Sequence, residues 1–390
     1  MNIRSLFLQH VAQTSPAPLA IHINKAQGNY LYDTDGQAYI DLIGGISVCN
    51  VGHCHPAVVA AIKEQAEAYL HVMVYGELVQ SPQVQYAQLL TQHLPQNLDT
   101  VYFTNSGAEA VEGAIKLARR ITGRPEMIAC NNSYHGSTLG ALSIIGDEYW
   151  RNAYRPLLPG VWHHDYNSDA LIEAINDQTA CVIIETVQAE AGIKEPVANW
   201  LHKLRAKCTE TGTLLIFDEI QCGFGRTGKL WGFEHYNVIP DILLLGKALG
   251  GGMPLGAFVS SHQNMQALTH NPVLGHITTF GGHPVSCAAG MAAFHALLDE
   301  NMVAGVYEKQ RLFLTLLKHP KIKAVRSKGL LMAIELESSE QVITTLQACL
   351  QQGVFSDWFL FAPKCIRIAP PLTITNEEIK KASEVILNCL

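Results

Sequence analysis

The period of the apolar positions changes along the chain, and each change predicts a different kind of structure. Residues 19–42, LAIHINKAQGNYLYDTDGQAYIDL, alternate apolar and polar side chains, with turn signals at Gly28-Asn29 and Asp35-Gly36, so short β segments are expected there. From Pro56 the period becomes helical. Val59, Ile62, Ala66 and Tyr69 recur at helix spacing behind a proline suited to a first turn. The middle of the chain then alternates apolar runs of strand length (DTVYFT, EMIAC, ACVIIE, GTLLIFDE, DILLLG, LGAFVSS) with helical segments such as EAVEGAIKLARRI and NWLHKLRAKCTET. Strands that are apolar on both faces and joined by helices predict a largely parallel sheet between helical layers. Beyond Pro284 come long helices, MAAFHALLDEN and GVYEKQRLFLTLL, then short strands, a helix, more strands and a terminal helix. The expected organisation is an α/β protein: a large domain over 46–283, a smaller α+β domain over 284–390, and an N-terminal β segment, 1–45, that joins the smaller domain.

Composition narrows the class. A chain of 390 residues is too long for one core, and 48% hydrophobic with 16% charged residues excludes a disordered or fibrous protein. A net charge of -7 with pI near 6.2 and no basic run leaves nothing to bind nucleic acid. No apolar stretch reaches the roughly 18 to 20 residues of a membrane span, and the N-terminal segment has no sustained apolar region, so a soluble cytoplasmic protein without membrane association is expected. Ten cysteines without a C-x-x-C pair, several of them in apolar segments (Cys181, Cys208, Cys349), read as buried and reduced. His53 and His55 in GHCHP come nearest to a metal-ligand pattern. Pro56 follows at once and starts a helix, so no metal is expected.

Candidate chemistry lies where ligands bind in open α/β sheets, at the carboxyl ends of strands. After VYFT, Ser106 is placed to cap the next helix, with Glu109 three positions on completing a capping box. Gly107 lets a ligand approach the first free N–H groups of that helix, which suits phosphate. After GTLLIF comes Asp218, and after DILLLG comes Lys247. Either alone reads as a solvated strand end. Together they suit pyridoxal 5'-phosphate: the lysine forms an imine with the cofactor and shuttles a proton, and the carboxylate keeps the pyridine nitrogen protonated. Tyr134-His135-Gly136 offers an aromatic ring to stack on a flat cofactor, and Thr278 and Thr279 stand beside Phe280-Gly281-Gly282.

With these segments in order, the chain resembles the class III aminotransferases, which include ornithine, acetylornithine and 4-aminobutyrate aminotransferases. The carrying stretches are DLIGGISVCNVGHCHP, FTNSGAEAVEGAIKLAR, SYHGSTLGALS, CVIIETVQAEAG, LLIFDEIQCGFGRTG, DILLLGKALGGGMPLGA, TTFGGHPVSCAAG and CIRIAPPL. The resemblance implies the pyridoxal-phosphate-dependent transferase fold (fold type I), with the cofactor in the large domain. It implies Lys247 as the Schiff-base lysine and Asp218 as the partner of the pyridine nitrogen. Gly107 and Ala108 would bind phosphate through backbone amides, Tyr134 would stack on the ring, Ser106 and His135 would be further cofactor-binding residues, and Gln221 would sit near the ring hydroxyl. Glu185 would be a supporting carboxylate. Arg367 would clamp the carboxylate of 2-oxoglutarate, with Glu190 as the switch that pairs with it while a terminal-amine donor is bound. Thr279 would reach the phosphate in the neighbouring subunit, which implies a homodimer with shared active sites. The implied reaction takes an amino group from ornithine, acetylornithine, 4-aminobutyrate or a similar donor, through a pyridoxamine intermediate, to 2-oxoglutarate. The chain departs from the pattern at Ser137, where ornithine and acetylornithine enzymes commonly carry an arginine that grips a substrate carboxylate. It departs again at Thr186 and Ala189, where Pro and Gly are usual.

Other functions fit less well. A mutase or decarboxylase on the same scaffold would keep the cofactor, but Arg367 with Glu190 suits a site that admits two differently charged substrates in turn. Gly223–Gly228 matches G-x-G-x-x-G, which raises an NAD-dependent dehydrogenase, yet KLWGFEHYNVIPD follows without a helical stripe. A P-loop fails because Ala248 follows Gly246-Lys247, and a non-catalytic binding module leaves the Lys247–Asp218 pair without a purpose.

Overall fold

The apolar runs form strands where their pattern places them. In the computed structural model, which describes residues 2–197 and 199–390, the N-terminal segment supplies β1 (Ile23–Gln27), β2 (Tyr30–Asp33) and β3 (Ala38–Asp41). The middle supplies β4 (Thr100–Thr104), β5 (Glu126–Cys130), β6 (Val161–His164), β7 (Thr179–Glu185), β8 (Leu214–Asp218), β9 (Ile242–Leu245) and β10 (Gly256–Ser260). The C-terminal part adds β11 (Ala324–Lys328), β12 (Leu331–Glu335), β13 (Val354–Phe355), β14 (Trp358–Phe359) and β15 (Ala362–Ile368).

Strands β4 to β10 make one seven-stranded sheet in the order β4-β10-β9-β8-β7-β5-β6. Only β10 runs against its neighbours; β9, β8, β7, β5 and β6 are parallel. The side-chain period of two divides the sheet between two cores. Cys181, Ile183, Ile216 and Leu244 face one cluster, under the helix Gly107–Thr122, while Val182, Ile184, Leu215 and Leu243 face the other. Both faces are covered, which is why each strand reads as an unbroken apolar run. The all-parallel stretch β9-β8-β7-β5 brings the carboxyl ends of four strands to one edge. Asp218 lies opposite Glu185 on β7 and Leu244 on β9.

A second sheet has the order β11-β12-β15-β14. A third runs β1-β2-β3-β13, in which β3 pairs in parallel with β13, so the N-terminal strands hydrogen-bond to the C-terminal segment. No helix among the described residues is long and apolar enough to cross a membrane.

Three local expectations need correction. A helix, Ile3–His10, capped by the Asn2 side chain, precedes the N-terminal strands; none of its residues is buried, so no stripe announces it. The edge strand β6 is absent from the expected runs because one face is open, with Trp162 exposed. In the helix Pro56–Ala68 the buried positions are Val58 and Gln65, and Ala66 of the expected stripe is exposed.

Candidate active site

Four strand ends and one helix N-terminus meet around a cavity of about 230 Å³. Its lining includes Gly107, Ala108, Tyr134, His135, Ser137, Glu185, Asp218, Gln221 and Lys247. Lys247 and Asp218, 29 positions apart, therefore share one cleft because β8 and β9 are neighbours in the sheet.

Lys247 opens a short 3-10 turn, Lys247–Gly250, with a backbone φ of 48°. A non-glycine residue in the left-handed region is held there at a cost, and such strain concentrates at functional positions. Its Nζ has a single distant contact, donating to Gln221 Oε1 at 3.4 Å. Burial lowers the amine below its ordinary value; Glu190 opposes that shift and Arg367 adds to it. An amine that loses its proton readily is the form a nucleophile needs.

Asp218 is buried and bonded on both sides. Its Oδ2 stands 2.7 Å from His135 Nδ1, and its Oδ1 accepts from the Ile220 N–H at 3.0 Å. The far nitrogen of the imidazole, Nε2, is buried without a partner. Glu185, one strand over, accepts from the N–H of Tyr134 at 2.9 Å and of Ala189 at 2.6 Å. Burial pushes its carboxyl up to about 7; the neighbouring His135 works against that and Asp218 adds to it. Glu185 thus ties the loops after β5 and β7 to one another.

The helix Gly107–Thr122 starts as its capping signal requires. Ser106 Oγ accepts from the Glu109 N–H at 3.2 Å. The reciprocal half of the expected box reaches one residue further back: Glu109 Oε2 accepts from the N–H and side-chain amide of Asn105, each at 2.8 Å. Gly107 and Ala108 line the cavity, and as the first two residues of the helix their N–H groups have no partner within it. Gly136 is needed on the opposite wall. Its φ is 122°, and a Cβ there would come within 2.6 Å of the Ala108 Cβ.

The Arg367 cluster is a separate arrangement beside this cavity. Arg367 Nη2 donates to Glu190 Oε2 at 2.8 Å, with the two side chains 3% and 6% exposed. The guanidinium lies over the Phe359 ring at 4.5 Å, and its Nη1 is buried without a hydrogen-bond partner. A second carboxylate, Asp357, stands 3.0 Å from Nε. Sequence reasoning missed Asp357; the signal for it is the one acid inside the mostly apolar run VFSDWFLF.

Of the expected site residues, Ser106, Glu190, Arg367 and Thr279 are not part of that lining. Thr279 is exposed on a loop whose Thr278 accepts from Asn105 Nδ2 at 2.9 Å. Ser137 is exposed, with its hydroxyl 3.2 Å from that of Tyr134. Thr186 replaces the usual proline with a purpose: its hydroxyl donates to the buried Glu219 at 2.6 Å, and Gly232 and Phe233 N–H groups complete that carboxyl's partners. Among the described residues no group of three or more candidate ligands could hold a metal; His53 faces Asp41 and His55 faces Glu300. Gly223–Gly228 opens no helix. Its Arg226 is fully buried and donates to the carbonyls of Leu330 and Pro370, so the segment packs the interior and holds no dinucleotide.

The residues present fit pyridoxal phosphate. Unpartnered buried atoms at His135 Nε2 and Gln221 Nε2, a free helix N-terminus and an amine with one weak contact line the same cavity.

Comparisons with known proteins give the family. The family model described as Aminotransferase class-III matches residues 11–390. An acetylornithine aminotransferase of Methanopyrus kandleri is 40% identical over 91% of this chain and 90% of its own length. One from Methanocaldococcus jannaschii is 40% identical over 93% and 91%. Among solved structures, an ornithine aminotransferase from Toxoplasma gondii with partial occupancy of PLP at its active site superposes with a TM-score of 0.91 at 31% identity, covering 99% of this chain and 92% of that one.

Proposed function

This chain belongs to the class III aminotransferase family, and from that premise we propose that it moves a terminal amino group from a donor such as ornithine, acetylornithine or 4-aminobutyrate to 2-oxoglutarate. The observation that carries the reading is the meeting of Lys247 and Asp218 in one cleft beside the buried Arg367–Glu190 pair.

Members of the family use pyridoxal phosphate, which when bound withdraws the electron pair left at the substrate carbon as its proton departs. Lys247 would hold the cofactor through its amine and then carry that proton. The Gly107 and Ala108 N–H groups would bind its phosphate. Tyr134 would cover one face of the ring, and Gln221 would offer its unpartnered amide to the ring hydroxyl. Asp218, fixed by His135, would keep a proton on the ring nitrogen; Glu185 fixes the loop that carries both aromatic residues.

Arg367 and Glu190 support two substrates in turn. While they pair, the guanidinium offers nothing to a substrate carboxylate and an amine donor is free to enter. When Glu190 leaves, a planar fork is exposed to the carboxylate of the oxo acid. The same reading makes 46–283 the cofactor-binding domain and groups 1–45 with 284–390, a grouping supported by the β3–β13 pairing. It also makes the protein a homodimer: Val273, Leu274, Ile277 and Phe280 surround the exposed Thr279 with apolar surface that a second copy would cover. Ten free cysteines suit the reducing cytoplasm.

The test is a donor panel in which glutamate formed from 2-oxoglutarate is measured for the wild type and Arg367→Ala. Glutamate should form with at least one terminal-amine donor. The variant should weaken 2-oxoglutarate far more than the donor; equal losses on both substrates would argue against the clamp. Release of carbon dioxide or isomerised product without glutamate would favour a decarboxylase or mutase instead.

A further inference from the structure

Arg226 is a fully buried cation outside the cleft, and its hydrogen-bond partners are all neutral. Nη1 donates to the Leu330 carbonyl at 3.0 Å and to the Pro370 carbonyl, and Nη2 donates to Asn50 Oδ1. Asp41 acts on it only from a distance, because that carboxylate is engaged by His53 and by the Ile43 and Gly44 N–H groups. Burial pulls the guanidinium down to about 9, with Asp41 and Cys49 opposing. A buried charge without an ion pair is a poor device for stability, since an apolar side chain of similar volume commonly serves as well. What a guanidinium adds is direction: a planar fork holds several oxygens at set angles.

Two of those oxygens belong to the sheet that carries Arg367. Leu330 lies in the turn that leads from β11 into β12, and Pro370 follows the end of β15. These strands are neighbours, with Ala333 of β12 opposite Arg367 of β15. Arg226 itself sits on the loop that leaves β8, eight residues after Asp218 and five after Gln221. The backbone makes the same junction. The Arg226 carbonyl accepts from the Leu330 N–H at 3.0 Å. Gly329, with a φ of 59°, lets the turn come so near that a Cβ there would stand 2.6 Å from that carbonyl oxygen. Asn50 closes the junction from the N-terminal segment: its side chain donates to the Phe224 carbonyl at 2.9 Å, and its carbonyl accepts from the Leu372 N–H at 2.8 Å. Bonds from Phe361 and Arg326 of the same sheet run to the loop after β7 instead, at the Glu190 and Gly192 carbonyls.

We propose that Arg226 is a positioning residue that sets the strand end bearing Arg367 against the strand end bearing Asp218. It thereby fixes where the carboxylate of an oxo acid lies relative to the amino group it is to receive. This inference rests on Arg367 being the carboxylate clamp. An oxo acid is held at both places at once, whereas in that reading the donor enters while Arg367 is paired with Glu190. The loss of Arg226 therefore falls on the acceptor half-reaction.

The experiment measures the two half-reactions separately for wild type, Arg226→Met, Arg226→Lys and Asn50→Ala, each loaded with pyridoxal phosphate. The probes are 2-oxoglutarate as acceptor and ornithine, acetylornithine and 4-aminobutyrate as donors. Calorimetry of glutarate binding to the pyridoxamine-phosphate form reads the clamp without turnover. Arg226→Met should raise the KM for 2-oxoglutarate at least about tenfold, within the range of a positioning error of roughly 1 Å, and should weaken glutarate to a similar extent. The donor half-reaction and the absorption of the bound cofactor should change little. Arg226→Lys, whose ammonium donates without a planar fork, should fall between wild type and Arg226→Met. Asn50→Ala, which removes the Nη2 acceptor, should shift the same quantities in the same direction by less. If Arg226→Met does not fold, the other two variants carry the comparison. Losses of equal size on donor and acceptor, or unchanged KM and glutarate affinity in every variant that folds, would overturn the proposal and leave the functional reading standing. A wild type that transfers no amino group from any of these donors would end both.

Discussion

Asp218 shows how much of the site is decided by single contacts. A carboxylate proposed to hold a proton on the cofactor must be kept from wandering, and His135 at 2.7 Å with the Ile220 N–H at 3.0 Å does that from both sides. Asp218→Asn keeps the shape and removes the charge, so turnover should fall at least ~100-fold, the scale of losing a positioned electrostatic group. Near-normal turnover in a steady-state assay would show that the charge is idle. Lys247 and Asp218 are legible in the sequence because a charged residue directly after a buried apolar run is conspicuous. Asp357 and Thr186 are not. Each is explained by a partner, Arg367 ten positions later and Glu219 just past the end of the neighbouring strand, that only the folded chain brings close. Thr279 could be singled out from its glycine-rich setting, but nothing within one chain gives it a ligand to touch.

At the scale of elements, the helix Gly107–Thr122 joins fold to chemistry. Its buried face, from Ala110 to Ala118, packs on the sheet, and its first turn supplies the N–H groups that line the cleft. Ser106→Ala removes the oxygen that accepts from the Glu109 N–H, so stability should drop by about 1 kcal/mol, read from urea unfolding of the two proteins. An unchanged midpoint would mean that Glu109, through Asn105, caps the helix alone. The strands of the seven-stranded sheet were readable because helices cover both faces and leave no polar alternation. The exceptions follow from the same physics. Strand β6 has an open face, and the helix Ile3–His10 buries nothing, so neither imposes an apolar period on its sequence. In the capping box the residue types were readable, but the direction of the Glu109 side chain depends on where the preceding loop turns.

At the scale of the whole molecule, contacts tie the N-terminal strands to the loop before the helix Pro56–Ala68 and to the C-terminal segment. Strand β3 carries Asp41, whose Oδ2 meets His53 Nε2 at 2.7 Å. Burial alone would lower the histidine, but the bond to Asp41 and the nearby Cys49 raise it from 6.5 to about 10. A histidine raised on folding stabilises fully below its unfolded value, and the contribution fades as pH rises through the folded one. The stability difference between wild type and His53→Gln should therefore be largest below pH 6.5 and shrink as pH approaches about 10. Thermal unfolding across that range checks it, and a difference independent of pH would assign His53 a packing role only. The parallel order of most of the seven-stranded sheet was readable from apolar runs and helical crossovers. The pairing of β3 with the two-residue β13 was not, because so short a strand leaves almost no pattern.

All of these scales converge on the amine at position 247, and borohydride reduction of the protein incubated with pyridoxal phosphate, followed by peptide mass mapping, tests it most directly. The added mass of one cofactor should appear on the peptide containing Lys247 and be lost in Lys247→Ala. Label on a different lysine, or retention of the label in that variant, would contradict the account.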